Sequence, residues 1–379
     1  MADSGRRGYD NLLDAFWDEA RGYGLDLPVD SPVSAAAFSK ARYKLEPALI
    51  RRLLHQTADD FESRFGSDHL WHGHRVFAVD GCKMSTQRSS LLWLKYGGAE
   101  GAHNPQMLVS TLFQVHSEVP YDMVVGPYAS SEREHLVELL DRLHEGDVLV
   151  LDRGYPSYEL ICELLERGIH FVMRMPASHT FREVERFAQS ESSDRRLVLE
   201  KPGSSRSERP TSVTVRAVSR SRPNDGDFIL VTDLCGTTYS PRRLDDLYHR
   251  RWQVEEYYKL SKGDYLGQRQ FHALRPEGVE QEVIALALFM AMTRLLMAQA
   301  ANEADTSYED LSQKTCVLAV AVYLTRLLLT SRSSSPEEDL AALLARLART
   351  RIPKRPGRSF RRRSYRPRPR WNAFGKIGG

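Results

Sequence analysis

A mixed α/β fold is predicted by three features of the chain. Two short, wholly apolar runs, residues 76–79 and 148–151, have the length and β-branched content of buried strands. Between them lies a stretch of helical period, residues 131–144, with Leu136, Leu139, Leu140 and Leu143 on one stripe. Beyond Ser240 the pattern is almost continuously helical. Strands alternating with helices of this kind form a sheet covered by helices.

In chain order, residues 9–66 have helical period, with a break at Gly22-Tyr23-Gly24 and a new start expected at Ser31-Pro32. Residues 35–45 place Phe38 and Leu45 on one side and Lys40 and Lys44 on another, the layout of a small DNA-contacting helix and equally of an ordinary amphipathic one. After the 76–79 strand come β-rich runs at 107–116 and 121–125, the 131–144 helix, the 148–151 strand, a helix over 156–167 and a strand over 170–175. Residues 177–227 turn to Ser, Arg and Pro with short alternating stretches, which predicts a β-rich insertion. The 228–232 strand then resumes the core.

Composition narrows the function classes. The 379 residues suffice for a large core without disulfides or structural metals. No apolar run reaches the ~20 residues that span a bilayer; residues 283–292 read as a buried helix because Arg294 follows at once. Cys82, Cys162, Cys235 and Cys316 lack zinc-ligand spacing and fit a reducing cytoplasm. His69, His72 and His74, without cysteine partners, read as surface or core residues. The net charge of +3 is unevenly placed: residues 351–376 hold eleven Lys and Arg and no acid, so the rest of the chain is near −8. A tail containing Arg361, Arg362 and Arg363 cannot build a core and suits a polyanion, although a plain solubility tail has the same composition.

Asp80 and Asp152 each close an apolar run and precede an expected turn, Asp-Gly in one case and Asp-Arg-Gly in the other. Were the two strands neighbours, their carboxylates would converge at the sheet rim and call for a divalent cation between them. Taken singly, each aspartate also fits a turn residue capping the next helix. A single helix is expected to carry Tyr248, Arg251, Glu255 and Lys262, which at about 100° per residue fall within a narrow arc. Leu247, Val254 and Tyr258 form the stripe that would dock it. An acid for metal and cations for phosphate on one face suit phosphodiester chemistry. The same face also reads as a solvated run of i,i+4 ion pairs. Glu256 should point away from it, Asp233 ends the 228–232 strand as a competing third acid, and Trp252 is expected in the core.

The spacing Tyr248-x2-Arg251-x3-Glu255-x6-Lys262 resembles the Y-R-E-K signature of the insertion-sequence-four family of bacterial DDE transposases. Asp152-Arg153-Gly154-Tyr155 is similar to the D-R-G-Y around their second aspartate, and Asp80-Gly81 to their first. The resemblance covers roughly residues 74–270. It implies a ribonuclease-H-like mixed sheet with a β-rich insertion, flanked by a helical N-terminal region and a helical C-terminal region with a basic tail. The corresponding divisions are 1–70, a DNA-binding helical region; 71–176 and 228–275, the two parts of the catalytic domain; 177–227, the insertion; 276–350, a helical region; and 351–379, the tail.

It also implies Asp80, Asp152 and Glu255 as catalytic and metal-binding carboxylates for two Mg2+ ions, with Mn2+ as a substitute. One ion would activate a water and later a DNA 3′-hydroxyl, while the other would stabilise the leaving oxygen. Tyr248, Arg251, Lys262 and the Arg361–Arg363 run would bind phosphate. The expected partners are double-stranded DNA, as transposon ends and target, and a second copy of the chain, with no membrane; the expected location is the bacterial or archaeal cytoplasm, at the nucleoid. A silent DNA-binding descendant of a transposase and a nuclease without strand transfer are the other readings of the same residues.

Overall fold

The computed structural model describes residues 8–352 except 23, 26, 28, 177–180, 204–207, 223–225, 262–270 and 331–334, and except the side chains of 328–330. Three helices open it: α1 (Tyr9–Gly22), α2 (Ala35–Arg42) and α3 (Pro47–Phe65). The start expected at Ser31-Pro32 falls instead at Ser34, whose hydroxyl accepts from the Ala37 amide at 3.2 Å. That oxygen satisfies a first-turn donor, which is what a helix N-terminus requires. Residues 31–33 lead in without helical structure.

Next come β1 (Val76–Ser85), α4 (Ser90–Tyr96), β2 (Gln106–Gln114), β3 (Val119–Pro127), α5 (Glu132–Leu139), β4 (Val148–Leu151), α6 (Tyr158–Glu166) and β5 (His170–Arg174). After α7 (Arg182–Ala188), three strands follow: β6 (Asp194–Glu200), β7 (Ser212–Arg222) and β8 (Gly226–Thr232). All eight strands form one sheet in the order β3-β2-β1-β4-β5-β8-β7-β6. β1, β4 and β5 are parallel, and every other pairing is antiparallel. The result is a mixed α/β sheet of ribonuclease-H-like layout at its β3-to-β5 end. The Ser, Arg and Pro-rich segment supplies β6 and β7, which continue this sheet through β8. Arg216, 5% exposed, ties them down with two bonds to Asp194 and one to the Tyr239 carbonyl.

The parallel strands are apolar on both faces because helices cover both: residues 148–151 and 76–79 are all fully buried. From Ser240 the chain forms α8 (Pro241–Arg250), α9 (Trp252–Leu260), α10 (Pro276–Glu303), α11 (Gln313–Thr330) and α12 (Pro336–Ala348). By length and apolarity α10 could cross a membrane, yet it lies against α3 and β3, with Val279, Val283, Ile284, Ala287 and Met290 in the main core. Arg294, the residue that interrupts its apolar run, is itself buried and paired with Glu118. The opposite end of α10 grips the N-terminal helices. Arg42 pairs with Glu282 at 2.8 Å, and Arg51 with Glu280 at 3.2 Å and Asp122 at 2.5 Å. A second, smaller apolar cluster joins the C-terminal half of α10 to α11 and α12 through Met297, Val320, Leu344 and Leu347.

Candidate active site

Asp80 does not end its strand. β1 runs on to Ser85, paired residue for residue with β2, Asp80 lying opposite Thr111. Only the parallel ladder with β4 stops early, its last pair being Ala78 and Val150. Two residues beyond that pair come Asp80 and Asp152, and the Asp152 charge is near enough to act on the Asp80 carboxyl. Asp152 lies just past the end of β4, and its Oδ1 accepts from the Gly154 amide at 2.8 Å, closing the Asp-Arg-Gly turn. The Asp80-Gly81 pair is therefore strand rather than turn. Its glycine answers a packing demand: a Cβ there would meet the carboxyl carbon of Glu132 at 2.4 Å.

The single helix expected around residues 248–262 is broken. α8 ends at Arg250 and α9 begins at Trp252, with i,i+3 bonds at the joint from the Arg251 amide to Tyr248 and from the Val254 amide to Arg251. The tighter turn leaves Arg251 in the notch between the two helices. Leu247, Val254 and Tyr258 are buried as the apolar stripe requires. Tyr258 anchors α9 over β1 and β2: its hydroxyl lies 2.9 Å from the carbonyl oxygens of Asp80 and Val109 and from the Thr111 hydroxyl. Burial holds that phenol well above its usual pKa, so it remains a donor.

Arg251 is the centre of the cluster. Its guanidinium lies 2.5 Å from Glu255 Oε1 and 3.7 Å from Asp80 Oδ2, so one cation serves the first and third acids. Burial pushes the Asp80 carboxyl up to about 7; Arg251 opposes the rise, and the charges of Glu132, Asp152 and Glu255 add to it. Tyr248 stands beside Arg251, with Arg174 and Asp152 also in electrostatic reach, and burial raises its hydroxyl pKa. Lys262 and Arg361, Arg362 and Arg363 lie outside the described residues.

The competing groups separate cleanly. Asp233 accepts from the Phe171 amide and pairs with His170 at 2.6 Å, at the end of β5 away from Asp152. Glu256 faces outward, bonded to Trp252 Nε1 at 2.5 Å and Lys259 Nζ at 2.6 Å. Trp252 is accordingly half-buried rather than in the core, its ring covered by the Lys259 ammonium, because the helix break turns it toward solvent. His74 bonds the Gly146 carbonyl and the Tyr239 hydroxyl, while His69 packs on Phe61 and Tyr308.

Two site residues escape sequence reasoning. Glu132, at the start of α5, reaches into the cluster and accepts from the Tyr155 hydroxyl at 3.1 Å. Arg174, stacked on Phe228, sits beside Tyr248. The Ser131-x-x-Glu134 capping pattern does announce the helix that carries Glu132, but nothing local tells which way its first turn faces.

Residues 71–292 match the transposase DDE domain family. The chain belongs to the DDE transposase family. Over 352 residues this transposase is 23% identical to the transposase InsG for insertion sequence element IS4 of Escherichia coli K12, an alignment covering 89% of the chain and 78% of InsG. It is 25% identical over 150 residues to the putative transposase InsZ of the same organism, 38% of the chain and 50% of InsZ. It is also 29% identical over 119 residues to the transposase for IS231B of Bacillus thuringiensis, 31% of the chain and 24% of that protein. Among solved structures the piggyBac transposase synaptic complex with hairpin DNA aligns with 93% of the chain and 78% of its own, at 11% identity and a TM-score of 0.49.

Membership makes the transposase a DNA-cutting and DNA-joining enzyme that depends on a divalent metal. Among the described residues no three His, Cys, Asp or Glu side chains are drawn together as a ready metal site. The donor chemistry nonetheless suits a hard cation. Asp80, Asp152 and Glu255 offer only carboxylate oxygens, and Asp80 is raised by burial and by its acidic neighbours, a penalty that a bound cation removes. In this structure the Arg251 guanidinium supplies part of that compensation.

Proposed function

We propose that this transposase cuts DNA at the ends of its own mobile element and joins the released ends to target DNA, with Asp80, Asp152 and Glu255 as its catalytic carboxylates. One observation carries the assignment: Arg251 joins Glu255 on α9 to Asp80 on β1, beside the strand end that bears Asp152. Two separate parts of the sequence thus share one cation, and the charge of the third acid, Asp152, acts on Asp80.

Asp80, Asp152 and Glu255 would hold two Mg2+ ions, which supply activation of the attacking hydroxyl and stabilisation of the leaving oxygen. The chain's own groups do the rest. With Glu255 engaged by metal, Arg251 would be free to turn its planar fork to a phosphate, a partner of matching charge and geometry. Tyr248 donates from its hydroxyl to a phosphate oxygen and fixes the strand's register. Lys262 and the arginines at 361–363 neutralise the backbone of double-stranded DNA further out. Two transposon ends need two active sites, so the working form is a homodimer assembled on DNA in the cytoplasm.

The test is supercoiled plasmid carrying the element with its flanking DNA, incubated with Mg2+. The wild-type protein should nick at the element ends and insert them into a second plasmid. Glu255→Gln should bind the same DNA and leave it intact; normal cleavage by that variant refutes the site. Binding without cutting by the wild type would make the chain a silent DNA-binding descendant, and cutting without joining would make it a nuclease.

A further inference from the structure

A clip at the start of α5 joins the two strand-borne acids. Ser131 caps the helix, with a full capping box to Glu134, so the first turn is held rigidly in place. The next two residues both reach the Asp152 motif. Arg133 Nε donates to the Gly154 carbonyl at 2.8 Å, and the Glu132 carboxylate accepts from the Tyr155 hydroxyl at 3.1 Å. On its other side the Glu132 side chain fills the space left by the missing side chain of Gly81, the residue after Asp80. One glutamate therefore touches the backbone beside the first acid and the tyrosine three residues after the second.

We propose that Glu132 is a positioning residue that sets the separation of Asp80 and Asp152, acting through Tyr155 on one side and through Gly81 on the other. The inference rests on these two acids being metal ligands, and it concerns how they are held rather than what they ligate. Between the last β1–β4 pair and the acids no ladder bonds constrain the two strands against each other. Over that gap a side-chain bracket is the available restraint. Glu132 fits the role because its partner cannot leave. Tyr155 is 1% exposed, and burial beside the charges of Glu132 and Asp80 keeps its hydroxyl protonated and donating. Gly81 needs no side chain for strand formation, and any added atom would push the Glu132 carboxylate off its seat.

The test separates bracing from ligation and from the reading beneath it. Binding of Mn2+ to the metal-stripped full chain is followed by electron paramagnetic resonance of the free ion, alongside the Mg2+ dependence of plasmid nicking. Glu132→Ala should weaken Mn2+ about tenfold and raise the Mg2+ needed for nicking in proportion, the range typical of groups that orient ligands. Glu132→Gln still offers an oxygen to Tyr155 and should restore binding to within about threefold of wild type. Tyr155→Phe keeps the ring and removes the bond, so it should weaken Mn2+ as Glu132→Ala does; it carries the test should the alanine variant not fold.

Asp80→Asn and Asp152→Asn serve as controls and should abolish binding. If they do so while Glu132→Ala and Tyr155→Phe bind Mn2+ like wild type, the bracing role is wrong and the site stands. If Glu132→Gln is as weak as Glu132→Ala, the charge acts directly on the ion and the bracing role is again overturned. If the two asparagine variants bind Mn2+ normally, the site itself falls, and this proposal with it.

Discussion

The Tyr258 hydroxyl lies 2.9 Å from the main-chain oxygen of Asp80, so the helix that presents the third acid is bonded to the very residue that presents the first. The same hydroxyl also meets Val109 and Thr111 on β2, in a buried setting. Tyr258→Phe removes the one hydroxyl hydrogen that these three oxygens share. It should destabilise the fold by roughly 1–3 kcal/mol, the cost of an unsatisfied buried polar group. Chemical unfolding reads the stability, and cleavage at saturating Mg2+ should fall because α9 loses its bond to the Asp80 main chain.

Arg251 carries a second prediction. Without metal it is the cation shared by Asp80 and Glu255, and removing one partner of a buried ion cluster is costly. In the presence of a chelator Arg251→Ala should lose about 2–4 kcal/mol of stability. Millimolar Mg2+ should return more of that stability to the variant than it adds to wild type. Cleavage should stay low in both conditions, since the phosphate contact is gone. Equal Mg2+ stabilisation of both proteins would contradict the exchange of guanidinium for metal.

The Asp80 carboxyl sets a pH dependence in the metal-free protein. Its folded pKa of about 7 stands above the reference value of 3.8, so between these limits the folded state binds the extra proton. The Asp80 contribution to stability should therefore fall as pH rises from about 4 to 7, with the penalty complete above 7. Asp80→Asn removes it: at pH 8 the variant should exceed wild type by roughly 1–3 kcal/mol, with the gap closing at pH 4. Urea midpoints across this range decide the matter, and a variant less stable than wild type at pH 8 counts against it.

The basic tail predicts a separable loss. Deleting residues 353–379 removes a run of Lys and Arg without an acid. DNA affinity measured at several salt concentrations should become markedly less salt-dependent, the slope falling by several units. Folding should be retained, because the described core ends before the deletion. An unchanged salt slope would show that the tail does not meet the backbone.

Much of this architecture is written locally in the chain. The runs at 76–79 and 148–151 are uniformly apolar because helices cover both faces of the sheet, and that signal survives without context. The stripe of Leu247, Val254 and Tyr258 was legible for the same reason. What failed were features set by neighbours distant in sequence. Asp80-Gly81 has turn composition but lies within a strand, since β2 pairs beyond it and Glu132 needs the glycine's empty space. The helix break at Arg251 leaves Tyr248 and Glu255 beside that arginine while changing the path between them, which a constant rotation per residue does not anticipate. Glu132 and Arg174 enter the site through the packing of α5 and β5, and no spacing in their own segments encodes that.

The grip of α10 on the first helices bears on how the molecule is made. Arg42 and Arg51 find their carboxylates at Glu282 and Glu280, and the apolar face of α3 closes on the same helix. In a nascent chain Arg51 can meet Asp122 on β3 early, but the pairs of Arg42 and Arg51 with α10 cannot form until the stretch through Glu282 has cleared the exit tunnel. Synthesis halted before that point should yield a sticky, protease-sensitive fragment instead of an early-folded N-terminal unit. Newly made protein would then become competent only once α10 has been made.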